Sequence, residues 1–295
     1  WSFGDVVSDD AYKGGGGTGD QNNIHQMEIF TTNPAIIDIE RKWKALYEGV
    51  RRSNSVIKLL NETEDITTTI KEQRLAEMKF LRGHFYFELK KIYNRIPFLD
   101  ENAISLSDFE VSNTELSEED LWGKIEADFN AAYSTLPSVQ EQSGRPSKYA
   151  ALAYLSKVYV YQKKWTQVLN ASEEVIQNGG YALMDNFEEL FLPENDNGSE
   201  IIFSIQQTIN GSSTISDNSV TSKCDGHEGE YSKEIPYTST PNKCNQALSQ
   251  LPLNPVCPVT RAFLFLNVCK YVICNDNCIA SLIVEQICKG FYTYF

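Results

Sequence analysis

Between Lys71 and Asp100 (KEQRLAEMKFLRGHFYFELKKIYNRIPFLD) apolar residues return every three or four positions, at Leu75, Met78, Leu81, Phe85, Leu89 and Ile92. That spacing predicts one continuous apolar stripe along a helix. A second row, Phe80, His84 and Phe87, runs down an adjacent face, so this helix is expected to be covered on more than one side. Pro97 cannot continue a helix and biases Ile96 toward an extended conformation, which ends the element near Asn94. The same periodicity predicts a preceding helix over Ile36–Leu60, with Ile39, Trp43, Leu46, Val50 and Ile57 on one stripe and Tyr47 and Asn54 beside it. Asn54 is unfavourable inside a helix by propensity. Arg51 and Arg52 read as a solvated face. Ser117 with Asp120 three residues later resembles a capping box. The helix it opens buries Leu121, Ile125 and Phe129 and stops before Pro137.

Ser147–Gln177 reads as two helices around a turn at Lys163–Lys164, closed by Asn178-Gly179-Gly180 as a C-cap. Small alanines let the two helices approach closely, and the pair (147–178) is similar to a tetratricopeptide hairpin. Other stretches lack helical periodicity. Trp1–Asn33 predicts a loop with a glycine run at Gly14–Gly17. That run lacks the Gly-Lys-Ser/Thr ending and the preceding strand of a phosphate cradle. Tyr181–Phe191 predicts a loop and a short helix. Ser199–Gln206 (SEIIFSIQ), β-branched and aromatic, predicts a short strand.

The chain has 295 residues, enough for one large domain or two smaller ones. Its net charge of −14 argues against nucleic acid and against electrostatic attachment to anionic lipid. Trp1 follows no Met, basic n-region or apolar h-region, so the start reads as a fragment or a mature end. All seven cysteines fall between Cys224 and Cys288. A disulfide module would leave one of them unpaired. The spacing Cys269-x4-Cys274-x3-Cys278 does not match zinc knuckles. Lys270, Asn275, Asp276 and Asn277 interrupt Ala262–Cys288 well short of the ~20 apolar residues of a membrane span. Loss of the coding frame soon after the IIFSIQQT block fits best, leaving a tail without a stable core of its own. A divergent native tail is the other explanation.

The long central helix carries a pattern, A-E-x-x-F-L-R-x-x-x-Y-F-x-L-x-x-x-Y-x-x-I-P, at Ala76, Glu77, Phe80, Leu81, Arg82, Tyr86, Phe87, Leu89, Tyr93, Ile96 and Pro97. Four further blocks stand in order: SDDAYKGG (Ser8–Gly15), WKALYEGVRRSNSVI (Trp43–Ile57), GRPSKYAALAYLSKVYVYQKKW (Gly144–Trp165) and NGSEIIFSIQQT (Asn197–Thr208). Together they resemble the SusD/RagB family, surface glycan-binding lipoproteins of the Bacteroidetes, over residues 1–210. The resemblance implies a mainly α fold: a tetratricopeptide-like scaffold of helical pairs with long loops and a short strand segment. The tail, 211–295, is expected to be irregular. In the Y-x-x-I/V-x-x-x-N pattern Asn54 is expected to bond to a neighbouring helix. The family's signal peptide and lipid-bearing Cys are absent from this sequence, so localisation at the outer face of the outer membrane rests on the resemblance alone.

Ligand contacts in that family often come from loops before the first conserved helix, which makes Asp9, Asp10, Tyr12 and Lys13 the candidate ligand-binding residues. Carboxylates and a ring together suit sugar hydroxyls and sugar faces. No Gly-x-Ser-x-Gly elbow, His-Glu-x-x-His, Walker loop or Rossmann fingerprint occurs. Neither a metal nor a cofactor is expected. His84, alone among aromatic residues, reads as a core or pocket-edge histidine. Glu118–Glu119 and Glu188–Glu189 are adjacent in sequence and diverge on a helix. The expected function is non-catalytic capture of an oligosaccharide at the cell surface for a SusC-like TonB-dependent transporter. A tetratricopeptide-type protein scaffold is one alternative. A glycan-cleaving enzyme using Asp9 or Asp10 is another, since a glycosidase needs two carboxyls facing across a cleft.

Overall fold

The computed structural model describes residues 2–8, 11–103, 106–192 and 195–206. The tail and its cysteines, and the expectations attached to them, lie outside these residues. Among the described residues six α-helices follow in order: α1 (Asn22–Glu28), α2 (Ile37–Glu62), α3 (Thr68–Tyr93), α4 (Glu118–Thr135), α5 (Lys148–Tyr161) and α6 (Trp165–Asn178). Short 3₁₀ turns span Leu106–Phe109 and Phe187–Phe191, and a π-helical turn spans Ser2–Val6. The protein is mainly α, as the resemblance implies. Among the described residues no helix is long and apolar enough to cross a membrane.

The chain divides into two units. The larger, Trp43–Asp185 with Asn197–Gln206, is organised on α3. One side of α3 runs antiparallel to α2: Trp43 meets Tyr93 edge-on at 4.8 Å and Tyr47 meets Tyr86 at 6.4 Å. Its other side packs on α4 and α5, where Phe80 meets Phe129 at 5.7 Å and Tyr154 at 5.2 Å. Tyr154 in turn stacks on Phe129 at 5.1 Å. Such pairs add about 0.5–1.5 kcal/mol each beyond the apolar area they bury.

Two-sided coverage explains where the sequence pattern misranked positions. The row Phe80 and Phe87, with Ala76, Gly83 and Tyr86, is the buried one, whereas Leu75, Met78, Leu81, Phe85 and Ile92 are only half-buried. Leu89 alone of the predicted stripe is fully enclosed. Close approach needs glycine at two points. A Cβ on Gly83 would stand 3.2 Å from the Phe129 ring, and one on Gly49 of α2 would stand 2.5 Å from the Phe85 ring.

Side chains cap the starts of α4 and α5, the first as predicted. Ser117 Oγ accepts from the Asp120 N–H at 3.0 Å to open α4, and Ser147 Oγ accepts from the Ala150 N–H at 3.1 Å to open α5. Asn94 closes α3 in a positive-φ conformation (φ 60°), three residues before Pro97. In the α5–α6 hairpin Ala150, Ala151 and Ala171 are buried at the contact, and Ser156 and Ser172 share a buried hydroxyl pair at 2.8 Å. The turn is tied to α4 through Glu126 Oε1, which accepts from Lys164 Nζ at 2.6 Å and from Gln162 Nε2 at 2.5 Å.

Ser199–Gln206 departs from the expected strand. It is extended, but the described residues include no β-ladder. The segment is held by Ser199, whose carbonyl accepts from the Ala182 N–H at 3.2 Å, and by Phe203, edge-on to Phe80 at 5.1 Å.

The smaller unit is Trp1–Lys42 with Asn186–Asp196. The predicted loop over Trp1–Asn33 contains a helix after all: α1 is polar, without an apolar stripe, and packs its one buried residue, Met27, while contacting the Ser2–Val6 turn. Val6 is buried within that turn.

Candidate functional site

The most distinctive motif residues converge on one loop of the larger unit, Ile96–Glu101, and hold it. Tyr47 donates to the Pro97 carbonyl at 2.7 Å. Tyr86 Oη bonds both the carbonyl and the N–H of Leu99 at 2.7 Å. Asn54 Nδ2 donates to the same Leu99 carbonyl at 2.9 Å, while its Oδ1 accepts from Arg82 Nη1 on α3 at 3.0 Å. The expected helix–helix bond of Asn54 is therefore present, and it is shared with the loop. Burial pushes the Tyr47 and Tyr86 phenols up, so both remain donors at neutral pH.

Arg82 is the hub. Its Nε and Nη2 grip Asp128 of α4 in a bidentate pair, both at 2.7 Å, and Nη1 reaches Glu101 at 2.5 Å. Burial opposes the Arg82 charge, but the two carboxylates outweigh it and keep the guanidinium protonated. Burial likewise pushes Asp128 up, with Arg82 pulling it back. Glu101, nearer solvent, lies below its ordinary value, because its own backbone N–H and Arg82 overcome its burial. A second buried carboxylate, Glu77, accepts from Arg74 at 2.8 Å and from Arg145 at 2.7 Å, which fastens the Gly144–Ser147 turn to α3. Every charge in these clusters is matched within the fold. They set the shape of the scaffold and leave little capacity for a ligand.

The sequence-derived ligand residues lie elsewhere. Asp9 and Asp10 fall outside the described residues. Tyr12 is 83% exposed, with its ring free to receive a flat apolar face. Lys13 is occupied: its ammonium donates to the carbonyls of Gly14 (2.9 Å), Gly17 (2.8 Å) and Asp20 (2.7 Å). The glycine run thus wraps the Lys13 ammonium, and Gly15, at φ 80°, lies so close to Asp20 that a side chain there would collide. The Lys13 N–H donates to Glu28 Oε1 at 3.0 Å, and Glu28 Oε2 meets His25 Nδ1 at 3.1 Å. Lys13 therefore shapes the loop that displays Tyr12. Sequence reasoning missed Asp20, His25 and Glu28, although the i,i+3 spacing of His25 and Glu28 was the available signal.

His25 and then the Lys13 N–H hold the Glu28 carboxyl below its ordinary 4.5. A depressed folded value stabilises the loop above pH 4.5, and that contribution is lost as the pH falls through the folded value. Amide exchange at Lys13, corrected for the intrinsic rate, is expected to be slow at pH 6 and to quicken markedly between pH 4.5 and 3. Unchanged protection across that interval would exclude Glu28 as the tether.

A recess in the larger unit, lined by Lys90, Asn94, Arg95, Thr114, Ser117 and Glu118 among others, has a volume of about 140 Å³. That is below the roughly 300–1,000 Å³ of a small-molecule pocket. Lys90 is already engaged there, with Asn94 at 2.7 Å and Glu118 at 3.2 Å. Among the described residues no group of His, Cys, Asp and Glu side chains is arranged to hold a metal ion.

Residues 18–160 match the SusD-like family described as "Starch-binding associating with outer membrane". Among solved structures, a laminarin-binding SusD-like protein superimposes with a TM-score of 0.64 at 32% identity, covering 68% of this chain and 45% of that one. Surface glycan-binding protein A from Bacteroides fluxus superimposes with a TM-score of 0.62 at 27% identity, over 72% of this chain and 46% of that one. A SusD-like protein of Formosa agariphila is 26% identical over 193 residues, 62% of this chain and 36% of the relative. Residues 18–160 belong to the SusD-like family. The chain spans less than half the length of each of these relatives.

Proposed function

We infer that the protein is a non-catalytic glycan-capture protein of the outer-membrane surface, which hands oligosaccharides to a SusC-like TonB-dependent transporter. The observation that carries this reading is the family match over residues 18–160, joined to a laminarin-binding neighbour at 32% identity. Membrane attachment would use a lipid anchor. Asp9, Asp10, Tyr12 and Lys13 are proposed as the ligand loop, with Tyr12 stacking on a sugar face and Lys13 acting through the loop's shape.

Affinity electrophoresis of the full chain through gels containing laminarin or other polysaccharides tests the reading. Retardation by a glycan is expected. Its absence across the panel, with specific capture of a protein ligand instead, would favour the tetratricopeptide-type scaffold. Tyr12→Ala should weaken retardation about five- to tenfold, the worth of one aromatic stack at about 1–1.4 kcal/mol. With 83% of Tyr12 exposed, the stability of the variant should be unchanged. Release of reducing sugar that vanishes in Asp9→Ala or Asp10→Ala would identify a glycosidase and overturn the proposal.

A further inference from the structure

Phe30 stands where the C-terminus of a helix ordinarily has glycine. Past α1 the Thr31 N–H donates to the Gln26 carbonyl at 2.9 Å, and the Phe30 N–H donates to the Met27 carbonyl at 3.2 Å. These are the two bonds of a Schellman turn, whose residue after the cap needs a left-handed backbone. Phe30 adopts it, at φ 56°. The other non-glycine residues with positive φ among those described, Gln21, Asn94 and Lys163, are polar. A bulky ring in that conformation is an outlier. Burial does not offset the strain, because Phe30 is 67% exposed. Nor does the turn use the ring: the positions that commonly seal it with an apolar contact are Gln26 and Thr31, both polar. Asn33 fixes the turn instead, donating to Gln26 Oε1 at 3.1 Å and accepting from the Ala35 N–H at 2.9 Å. The same unit carries the exposed Tyr12, and one tether joins the two segments. The Lys13 N–H, next to Tyr12, donates at 3.0 Å to Glu28, two residues before Phe30. Two exposed rings therefore flank a single hydrogen bond.

We propose, resting on the glycan-capture reading, that Phe30 is a second stacking platform and takes a sugar face of the same glycan chain that Tyr12 holds. The ligand is then an oligosaccharide long enough to lie on both rings. The C–H bonds on the flat face of a sugar carry partial positive charge, which the negative face of an aromatic ring attracts, and the contact needs no enclosed cavity. Backbone strain held at a residue whose ring is left largely unpacked marks a functional position and not a structural one. Where two rings grip one chain their stacking free energies add, so losses of affinity multiply. Two separate, equal sites would behave differently, because removing one would cost only about half of the binding.

The test is affinity electrophoresis of the full chain in gels of laminarin, starch and xyloglucan, with urea denaturation of each variant alongside. Phe30→Gly should weaken retardation about five- to tenfold, the effect of one aromatic stack. Its urea midpoint should stay level or rise, since glycine takes the left-handed turn without strain. Phe30→Trp, which keeps a flat ring, should hold retardation within about twofold, and Phe30→Leu should lose as much as Phe30→Gly. Tyr12→Ala combined with Phe30→Gly should lose about 25- to 100-fold, the product of the two single effects. Phe30→Gly retarded like the wild type, or losing only about half, would overturn the proposal and leave the glycan-capture reading standing. Full retardation of Phe30→Leu would do the same by showing a merely apolar contact, and a lower midpoint for Phe30→Gly by showing that the ring serves the fold. A wild-type chain retarded in none of these gels would overturn the reading and the proposal together.

Discussion

Replacing Arg82 by methionine is expected to lower the unfolding free energy by about 3–5 kcal/mol, the cost of stranding a buried charge. The guanidinium side chain is 8% exposed and Asp128 is 6% exposed, so neither partner can turn to water when the other is removed. Three consequences follow from the geometry. Asp128 loses both of its Arg82 bonds, and burial then acts on it unopposed, so its folded pKa rises well above the unfolded value. A raised folded value means that stability is present below the unfolded pKa and is lost as pH rises through the folded one. The deficit of Arg82→Met should therefore shrink on acidification from pH 7 toward 4. The loop 96–101 also loses Glu101's partner and the orientation of Asn54, and should become the first site of proteolytic cleavage. Adding Asp128→Leu should recover most of the loss, since a buried pair exchanged for apolar groups is often near neutral. Urea denaturation of both variants across this pH range measures each effect. A loss below 1 kcal/mol at pH 7 would show that water reaches the pair.

That hub also marks the boundary of what the amino-acid sequence discloses. Helices α2 to α6 were readable because their apolar residues keep a 3.6-residue period and their ends carry Ser117, Ser147, Pro97 and Gly179–Gly180. Burial within α3 was not, because a helix covered on both sides has no single apolar stripe. The pairing of Arg82 with Asp128 was not readable either, since a charge pattern on one helix says nothing about a partner 46 residues away. The motif position of Arg82 was a signal of importance, and the structure shows that its importance is architectural. Helix α1 was hidden by its polarity, and it is tied by the bonds of the Lys13 N–H and His25 to Glu28. Tyr12, chosen for its chemistry, is exposed. Lys13, chosen for the same reason, has its ammonium turned inward onto three carbonyls. A loop of small and polar residues does not reveal which of its side chains it will fold around.

Phe80→Ala should be comparably destabilising, by about 3–5 kcal/mol, the range for deleting a buried phenylalanine from a close-packed core. Phe80 is 0% exposed and touches rings from three separate parts of the larger unit: Phe129 of α4, Tyr154 of α5 and Phe203 of the extended segment. The two helical partners still stack on each other at 5.1 Å without it, so α4 and α5 keep a contact of their own. Among the described residues Phe203 has no second ring contact. Its segment has no β-ladder, and its other ties are the packing of Ile202 against the core, the Ala182–Ser199 bonds, Glu200 Oε2 accepting from the Met184 N–H at 3.2 Å, and polar contacts around Asn197. Local opening at 199–206 should therefore precede global unfolding in Phe80→Ala, whereas in Arg82→Met the weak point is 96–101. Limited proteolysis at low protease concentration separates the two patterns. Phe80→Leu, which refills most of the volume but supplies no ring edge, should restore more than half of the global stability and less of the protection at 199–206. If it restores both equally, the Phe80–Phe203 contact is ordinary volume filling. If protection stays low while stability returns, the ring edge is what seats the extended segment on the scaffold.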